Sequence, residues 1–215
     1  MARSSACARY RLRMVMAFIL NEPETNAMTG NAEERLQALL RGGKNRFLFF
    51  WGHRERSGGV TSACLSQWYG APFVVEARRY PTAEHWMMAQ KALLFADHAI
   101  HARILQAKSP SEAKSLGREV RHFDEATWKK HCYDIVVCGN FHKFSQHPDL
   151  RKFLQDTGNR VLVEASPVDR VWGIGLAAGD ERARNPRRWR GQNLLGFALM
   201  DVRERIGKEA PDKIG

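Results

Sequence analysis

Three side chains able to take part in bond chemistry stand in local sequences that would place them. Glu84 lies in Tyr80-Pro-Thr-Ala-Glu-His-Trp-Met-Met-Ala-Gln-Lys91, where Thr82 can cap a helix and put the carboxylate in its first turn. The helix N-terminus favours the ionised form there. That suits stabilising a developing positive charge or positioning a nucleophile better than giving up a proton. An ordinary capping glutamate would have the same local sequence, so partners from elsewhere in the chain must make it a site. Lys91 follows two helical turns later, about 10 Å along the axis, on the same side of the helix. Its amine can anchor a phosphate or hydroxyl, form a Schiff base with a sugar carbonyl, or remain a solvated helix lysine. Asp169 opens Asp169-Arg-Val-Trp-Gly-Ile-Gly175. In this loop Gly173 and Gly175 let backbone approach a ligand, Trp172 offers a plate, and Asp169 can accept hydroxyls or orient water.

Trp128 and Trp172 can each stack a base, worth about 1–3 kcal/mol, although core packing competes for Trp128 on its apolar helix face. Arg118, Lys143 and the run Arg182, Arg184, Arg187, Arg188 and Arg190 are candidates for phosphate contacts, because guanidinium forks match phosphate oxygens. Each surface arginine can equally be a solvated charge. Together, beside a glycine-rich loop, they predict a rim facing a polyanion, with salt-sensitive affinity if that partner is a nucleic acid. His53, His85 and His142 have no second His or Cys at ligand spacing, so neither a metal nor a cofactor is expected. Cys7, Cys64, Cys132 and Cys138 form no CxxC pair and read as small buried hydrophobes in a reducing compartment.

These residues need a scaffold, and the patterning supplies one. Phe47–Trp51 reads as a buried strand, Pro72–Tyr80 as a second and Arg160–Ser166 as a third. A helix runs from Thr82 to about Phe95. Ser109-Pro-Ser-Glu112 is a capping box opening a short helix that ends near Gly117. Asp124 caps a long helix broken at His147-Pro148, and a shorter one covers Asp149–Gln155. Asn193 caps the last helix, whose apolar positions Leu194, Leu195, Ala198, Leu199, Val202 and Ile206 keep helical spacing until Gly207. Pro167–Gly191 is irregular and can wrap a ligand. Before the first strand, Ala32–Leu40 forms a short helix and Gly42-Gly43 a hinge. The expected fold is a mainly helical α+β domain with a small sheet and long central and C-terminal helices.

A chain of 215 residues with 44% hydrophobic residues can build one sizeable core. Its 34 Lys and Arg against 23 Asp and Glu give +11, a balance suited to phosphates, nucleotides or nucleic acid. Residues 1–45 read as an N-terminal extension, 46–207 as the domain and 208–215 as a polar tail. The extension begins with Arg3, Arg9, Arg11 and Arg13 and an apolar run, Met14–Leu20, too short to span a bilayer. No small-residue cleavage site clearly follows it. The expectation is an intracellular, cytoplasmic protein, with organellar targeting by the extension as the alternative.

The Pro-Thr-x-Glu-His-(aromatic)-x-x-x-Gln-Lys pattern of residues 81–91 resembles the signature of the NADAR, or YbiA-like, family. The resemblance continues in order through Phe49-Phe50-Trp51, Leu65-Ser-Gln-Trp68, Leu116-Gly-Arg118, Trp128, Lys143-Phe144, Asp169-x-x-Trp-Gly-x-Gly175 and Asn193-x-Leu-Gly-x-x-Leu-Met200. It covers roughly residues 46 to 207, and an ordered set of this kind is specific where one element would not be.

The resemblance implies an N-glycosidase acting on ADP-ribose-like or ribose-phosphate ligands. The substrate is either ADP-ribose on guanine, in nucleotide or nucleic acid, or a phosphoribosylamino-pyrimidine of the riboflavin route. A non-catalytic reader of such ligands is the alternative of another class. Glu84, Lys91 and Asp169 are the implied catalytic residues. Trp68, Arg118, Trp128, Lys143, Trp172, Gly173, Gly175 and Asn193 are the implied substrate contacts. Cleavage of a ribosyl–nitrogen bond passes through an oxocarbenium-like state, which rewards a carboxylate near the sugar and a donor near the departing base. An Arg-rich insertion, Gly179 to Arg190, is longer than in the bacterial pattern and allows a larger, more anionic substrate.

Overall fold

Most helices of this protein begin where a side chain accepts their free N–H groups. In a computed structural model that describes residues 29–54 and 58–208, Thr82 accepts from the His85 N–H, Asp97 from Ile100, Ser109 from Glu112 and Asp124 from Thr127. The basic segment read as a targeting sequence and the tail after Lys208 lie outside the described residues. The elements run α1 (Thr29–Leu40), β1 (Phe47–Phe50), β2 (Phe73–Val75), β3 (Arg78–Tyr80), α2 (Ala83–Leu94), α3 (His98–Leu105), α4 (Pro110–Arg118), α5 (Glu125–Gln146), α6 (Pro148–Asp156), β4 (Val161–Glu164) and α7 (Leu194–Lys208). Short 3-10 turns occupy Ser62–Leu65, Glu181–Arg184 and Pro186–Arg188. The fold is mainly helical α+β, as its patterning predicts. Among the described residues no helix is long and apolar enough to cross a membrane.

Two details depart from the sequence reading. Residues 72–80 are a hairpin rather than one strand. Glu76 and Ala77 take φ of 50° and 62°, a left-handed pair that reverses the chain and pairs Phe73 with Tyr80 and Val75 with Arg78. Such turns usually advertise themselves with Asn-Gly, and Glu-Ala does not. The helix α3 was also not anticipated. It is opened by Asp97, whose buried carboxylate both caps Ile100 and accepts the Arg121 guanidinium.

β1 and β4 pair in parallel, Phe47 with Val161 through Phe50 with Glu164. A parallel pair needs a crossover, and here the crossover contains the hairpin and α2 to α6. Glu164 thus stands at the carboxyl edge of the pair. The Asp169 loop leaves from that edge.

α2 runs through the core with Trp86, Met87, Met88 and Ala89 buried. It comes close to α4 and α5 because glycines face it. A Cβ on Gly139 would lie 2.3 Å from Trp86 Cδ1, and one on Gly117 2.0 Å from Met88 Sδ. The Trp86 indole donates to the Ile135 carbonyl at 2.8 Å. On the far side, buried Asp201 of α7 accepts from the Tyr133 hydroxyl and from Arg35 of α1, and Arg35 also reaches Glu204. α1 is therefore docked onto the domain by a shared carboxylate.

Candidate active site

Glu84 enters from the first turn of α2, its backbone N–H tied to the Gln67 carbonyl at 3.0 Å. Its side chain is 2% exposed and its Oε1 is buried without a hydrogen-bond partner. Burial is the largest influence on this carboxyl and pushes it up to about 7; Asp169 adds to the rise, while Lys114, a hydrogen bond from the Trp68 indole and Arg118 oppose it. The expectation that the helix N-terminus keeps Glu84 ionised is corrected here, because desolvation outweighs the dipole and the nearby cations together.

The loop after β4 brings the second carboxyl. Asp169 Oδ1 accepts from the Val171 and Trp172 N–H groups at 2.9 and 2.8 Å, an Asx turn that fixes the side chain without help from the rest of the fold. Its charge acts on Glu84 and on Glu164, so the start of α2 and the Asp169 loop converge on one place.

Two members of this cluster were not picked out from the sequence. Glu164, the last residue of β4, has a buried Oε2 without a partner, and burial pushes its carboxyl up to about 8, with Asp169 and Glu84 adding and Lys114 opposing. Lys114 of α4 places its ammonium 5.9 Å from the Trp68 ring and acts on both glutamates. Arg118, one turn further along α4 and exposed, acts on Glu84. The i,i+4 spacing of Lys114 and Arg118 was visible, but nothing local said that this face of α4 meets the head of α2. Glu164 only looked like the polar end of an apolar strand. Across the cluster, the His53 ring packs on Trp68 at 5.7 Å.

Other expected site residues lie elsewhere or do other work. The Lys91 ammonium donates to the Gly117 carbonyl at 2.8 Å and lies 4.2 Å from the Phe123 ring centre and 5.6 Å from that of Trp128. It does not fold back onto Glu84. Burial lowers its pKa, and half-buried Trp128 packs beside it against the core. Lys143, expected to meet phosphate, is fully buried and donates to the Cys64 and Ser66 carbonyls at 2.6 and 2.9 Å. It holds the turn that precedes Trp68 and cannot reach a ligand.

Asn193 is likewise buried. It neither caps α7 through its side chain nor faces a ligand. Its Oδ1 accepts the Glu164 N–H at 3.0 Å and its amide donates to the Leu162 carbonyl at 3.0 Å. Gly173 and Gly175 admit the protein's own chain: a Cβ on Gly173 would come 2.9 Å from the Glu164 carbonyl, and Gly175 has φ of 67° with Arg170 and Arg190 against it. Trp172 is half-buried against the core. Of the arginine run, Arg182 pairs with Asp180, Arg184 lies over Phe49 and Arg187 donates to the Leu40 carbonyl. His85 bridges the Thr82 hydroxyl and the Ala107 carbonyl, a structural role inside the motif. Among the described residues no three His, Cys, Asp or Glu side chains are placed to hold a metal ion.

The fold and the cluster define a mainly helical α+β domain with carboxyl groups gathered at a strand end and a helix N-terminus. A sequence profile of the NADAR domain matches residues 49–207, and the chain belongs to the NADAR family. N-glycosidase R617 of Acanthamoeba polyphaga mimivirus is 44% identical over 165 residues, covering 74% of this chain and 96% of that protein. N-glycosidase YbiA of Escherichia coli strain K12 is 30% identical over 138 residues, 64% of this chain and 78% of that one. The NMR structure of E. coli YbiA superposes with a TM-score of 0.62 at 26% identity, covering 78% of this chain and 89% of that one. The mimivirus and E. coli relatives are both named N-glycosidases.

Proposed function

We propose that this protein is an N-glycosidase that cleaves a ribose–base bond, with ADP-ribose linked to guanine, on a nucleotide or nucleic acid, as its substrate. The observation that carries the reading is that Glu84, a buried carboxyl with an unpartnered oxygen, lies within electrostatic reach of Asp169, whose side chain is fixed by its own turn. The names of the relatives support the bond type. The basic charge of the chain and the exposed Arg118 of α4 and arginines 184, 187, 188 and 190 of the insertion support an anionic substrate larger than a single sugar phosphate.

In this reading the C1′–N bond breaks toward an oxocarbenium-like state. Ionised Glu84, kept in place by the Trp68 indole, offsets the charge on the sugar, and Asp169 orients the attacking water. Arg118 and Lys114 face the phosphates. Because Glu84 is pushed up to about 7, turnover should rise through neutral pH as it ionises.

The test is incubation with ADP-ribosylated guanosine and with the phosphoribosylamino-pyrimidine, following base release. Guanine release that is lost in Glu84→Gln with binding retained supports the proposal. Release from the pyrimidine alone replaces the substrate. Binding without release from either makes the protein a reader. Borohydride added during turnover separates the two roles of Lys91: a covalent adduct on it marks a Schiff-base amine, and none leaves an anchor.

A further inference from the structure

We infer that Glu164 is the acid of this site, the group that hands a proton to the departing base while Glu84 faces the sugar. The inference rests on the N-glycosidase reading and adds the donor that the reading lacks.

Glu164 is placed as a donor should be. Its N–H is held by Asn193 and its carbonyl by the Ile174 N–H at 2.9 Å. The Ala165 N–H bonds the Phe50 carbonyl at 2.9 Å. Its backbone is thus fixed on three sides at the carboxyl end of β4. Its Oε2 and Glu84 Oε1 are both buried and both lack a protein partner. A buried polar atom left unpaired in this way carries a desolvation cost that a bound polar ligand would remove at both oxygens.

The charged groups acting on Glu164 are Glu84, Asp169 and Lys114; Arg118 acts on Glu84. Three carboxyls beside one close lysine cannot all ionise cheaply, so a proton is retained among them. Glu164 is favoured as its holder, because Lys114, the Trp68 indole and Arg118 all favour ionised Glu84, whereas Lys114 alone favours ionised Glu164 and both Asp169 and Glu84 oppose it.

The step balances without a further reactant. The C1′–N bond breaks with its electron pair going to the base, and the Glu164 proton neutralises it. Water adds to C1′, and the proton it loses returns through Asp169 and Glu84 to restore the acid.

The experiment compares wild type with Glu164→Gln and Glu164→Asp on ADP-ribosylated guanosine and on 4-nitrophenyl ADP-ribose, whose phenolate departs without a proton. Expected for Glu164→Gln on the guanine substrate is a fall in kcat of about 10²–10⁴-fold, an unchanged KM and loss of the alkaline limb of the pH profile. On the phenolate substrate the fall is small. Glu164→Asp keeps an acid one methylene short and retains intermediate activity. Unchanged guanine release in Glu164→Gln, or equal loss on both substrates with circular dichroism showing a folded chain, overturns the assignment.

Infrared difference spectra give a readout without turnover: a protonated-carboxyl stretch at neutral pH that weakens in Glu164→Gln is expected, and its absence in wild type overturns the assignment. Wild type that shows this stretch yet releases no base from either substrate instead sinks the N-glycosidase reading, and the acid role with it.

Discussion

Glu84 sits at the positive end of α2, yet its carboxyl is pushed up to about 7. A helix N-terminus returns roughly 0.3–1 kcal/mol to a carboxylate at the surface, and taking the same group out of water costs several kcal/mol. Position on a helix was readable from residues 80–91; the depth of the site was not. Replacing Glu84 by Gln should therefore have two opposite effects, a loss of base release of about 10²–10⁴-fold and a gain in stability at alkaline pH. Measuring kcat and urea midpoints on the same preparation checks both. Lys114→Met should raise KM for a phosphate-bearing substrate by about tenfold, one charge-assisted contact. A KM that does not move would take Lys114 out of the site.

Between residues and fold, several polar side chains hold one element against another. Lys143 ties α5 to the turn at Ser62–Leu65, and Asn193 ties the start of α7 to β4. In the sequence both match positions of the family motif, and such positions read as ligand contacts until burial shows otherwise. Lys143→Met would leave two buried carbonyls without their donor and should cost about 2–4 kcal/mol in chemical unfolding. KM in the fraction that remains folded should not change, whereas a raised KM with stability intact would restore Lys143 as a phosphate contact. Asn193 has φ of 56°, so Asn193→Gly keeps the backbone and removes only the amide. The expected cost is about 1–3 kcal/mol, with kcat falling because Glu164 loses its clamp; a variant with wild-type kcat would show that the clamp does not matter to the reaction.

For the molecule as a whole, buried titratable groups set how stability follows pH. Glu84 and Glu164 are raised from 4.5 to about 7 and about 8, so the folded chain holds their protons more tightly than the unfolded chain does. Their contribution is complete below about 4.5 and is lost as pH rises through 7 and 8. Lys143, lowered from 10.5 to about 7, has the opposite slope, its cost easing as pH rises above 7. From pH 5 to 7 the carboxyls oppose His85 and His142, whose pKa burial lowers from 6.5 and whose cost eases as pH rises. Each carboxyl should lower stability there by about 2 kcal/mol before the histidines offset part of the fall, and the fall should shrink by about half in Glu84→Gln. Thermal melts at fixed ionic strength across that interval measure it, and a wild-type curve that rises from pH 5 to 7 would contradict the burial of these groups.

How much of this was legible in the chain follows from the range of each interaction. Helix starts at Thr82, Ser109 and Asp124, the break at His147-Pro148 and the family motif are local features, because a cap or a break concerns residues three or four apart. The left-handed Glu76-Ala77 turn is local too, but its residue types do not announce it. Glu164 and Lys114 stand 50 residues apart in the chain and meet only because β1 and β4 pair across the helical crossover. A carboxyl's proton affinity and a lysine's burial depend on which distant groups share the same low-dielectric space. No periodicity carries that information, so packing alone set Glu164 beside Glu84 and buried Lys143 and Asn193 in the scaffold.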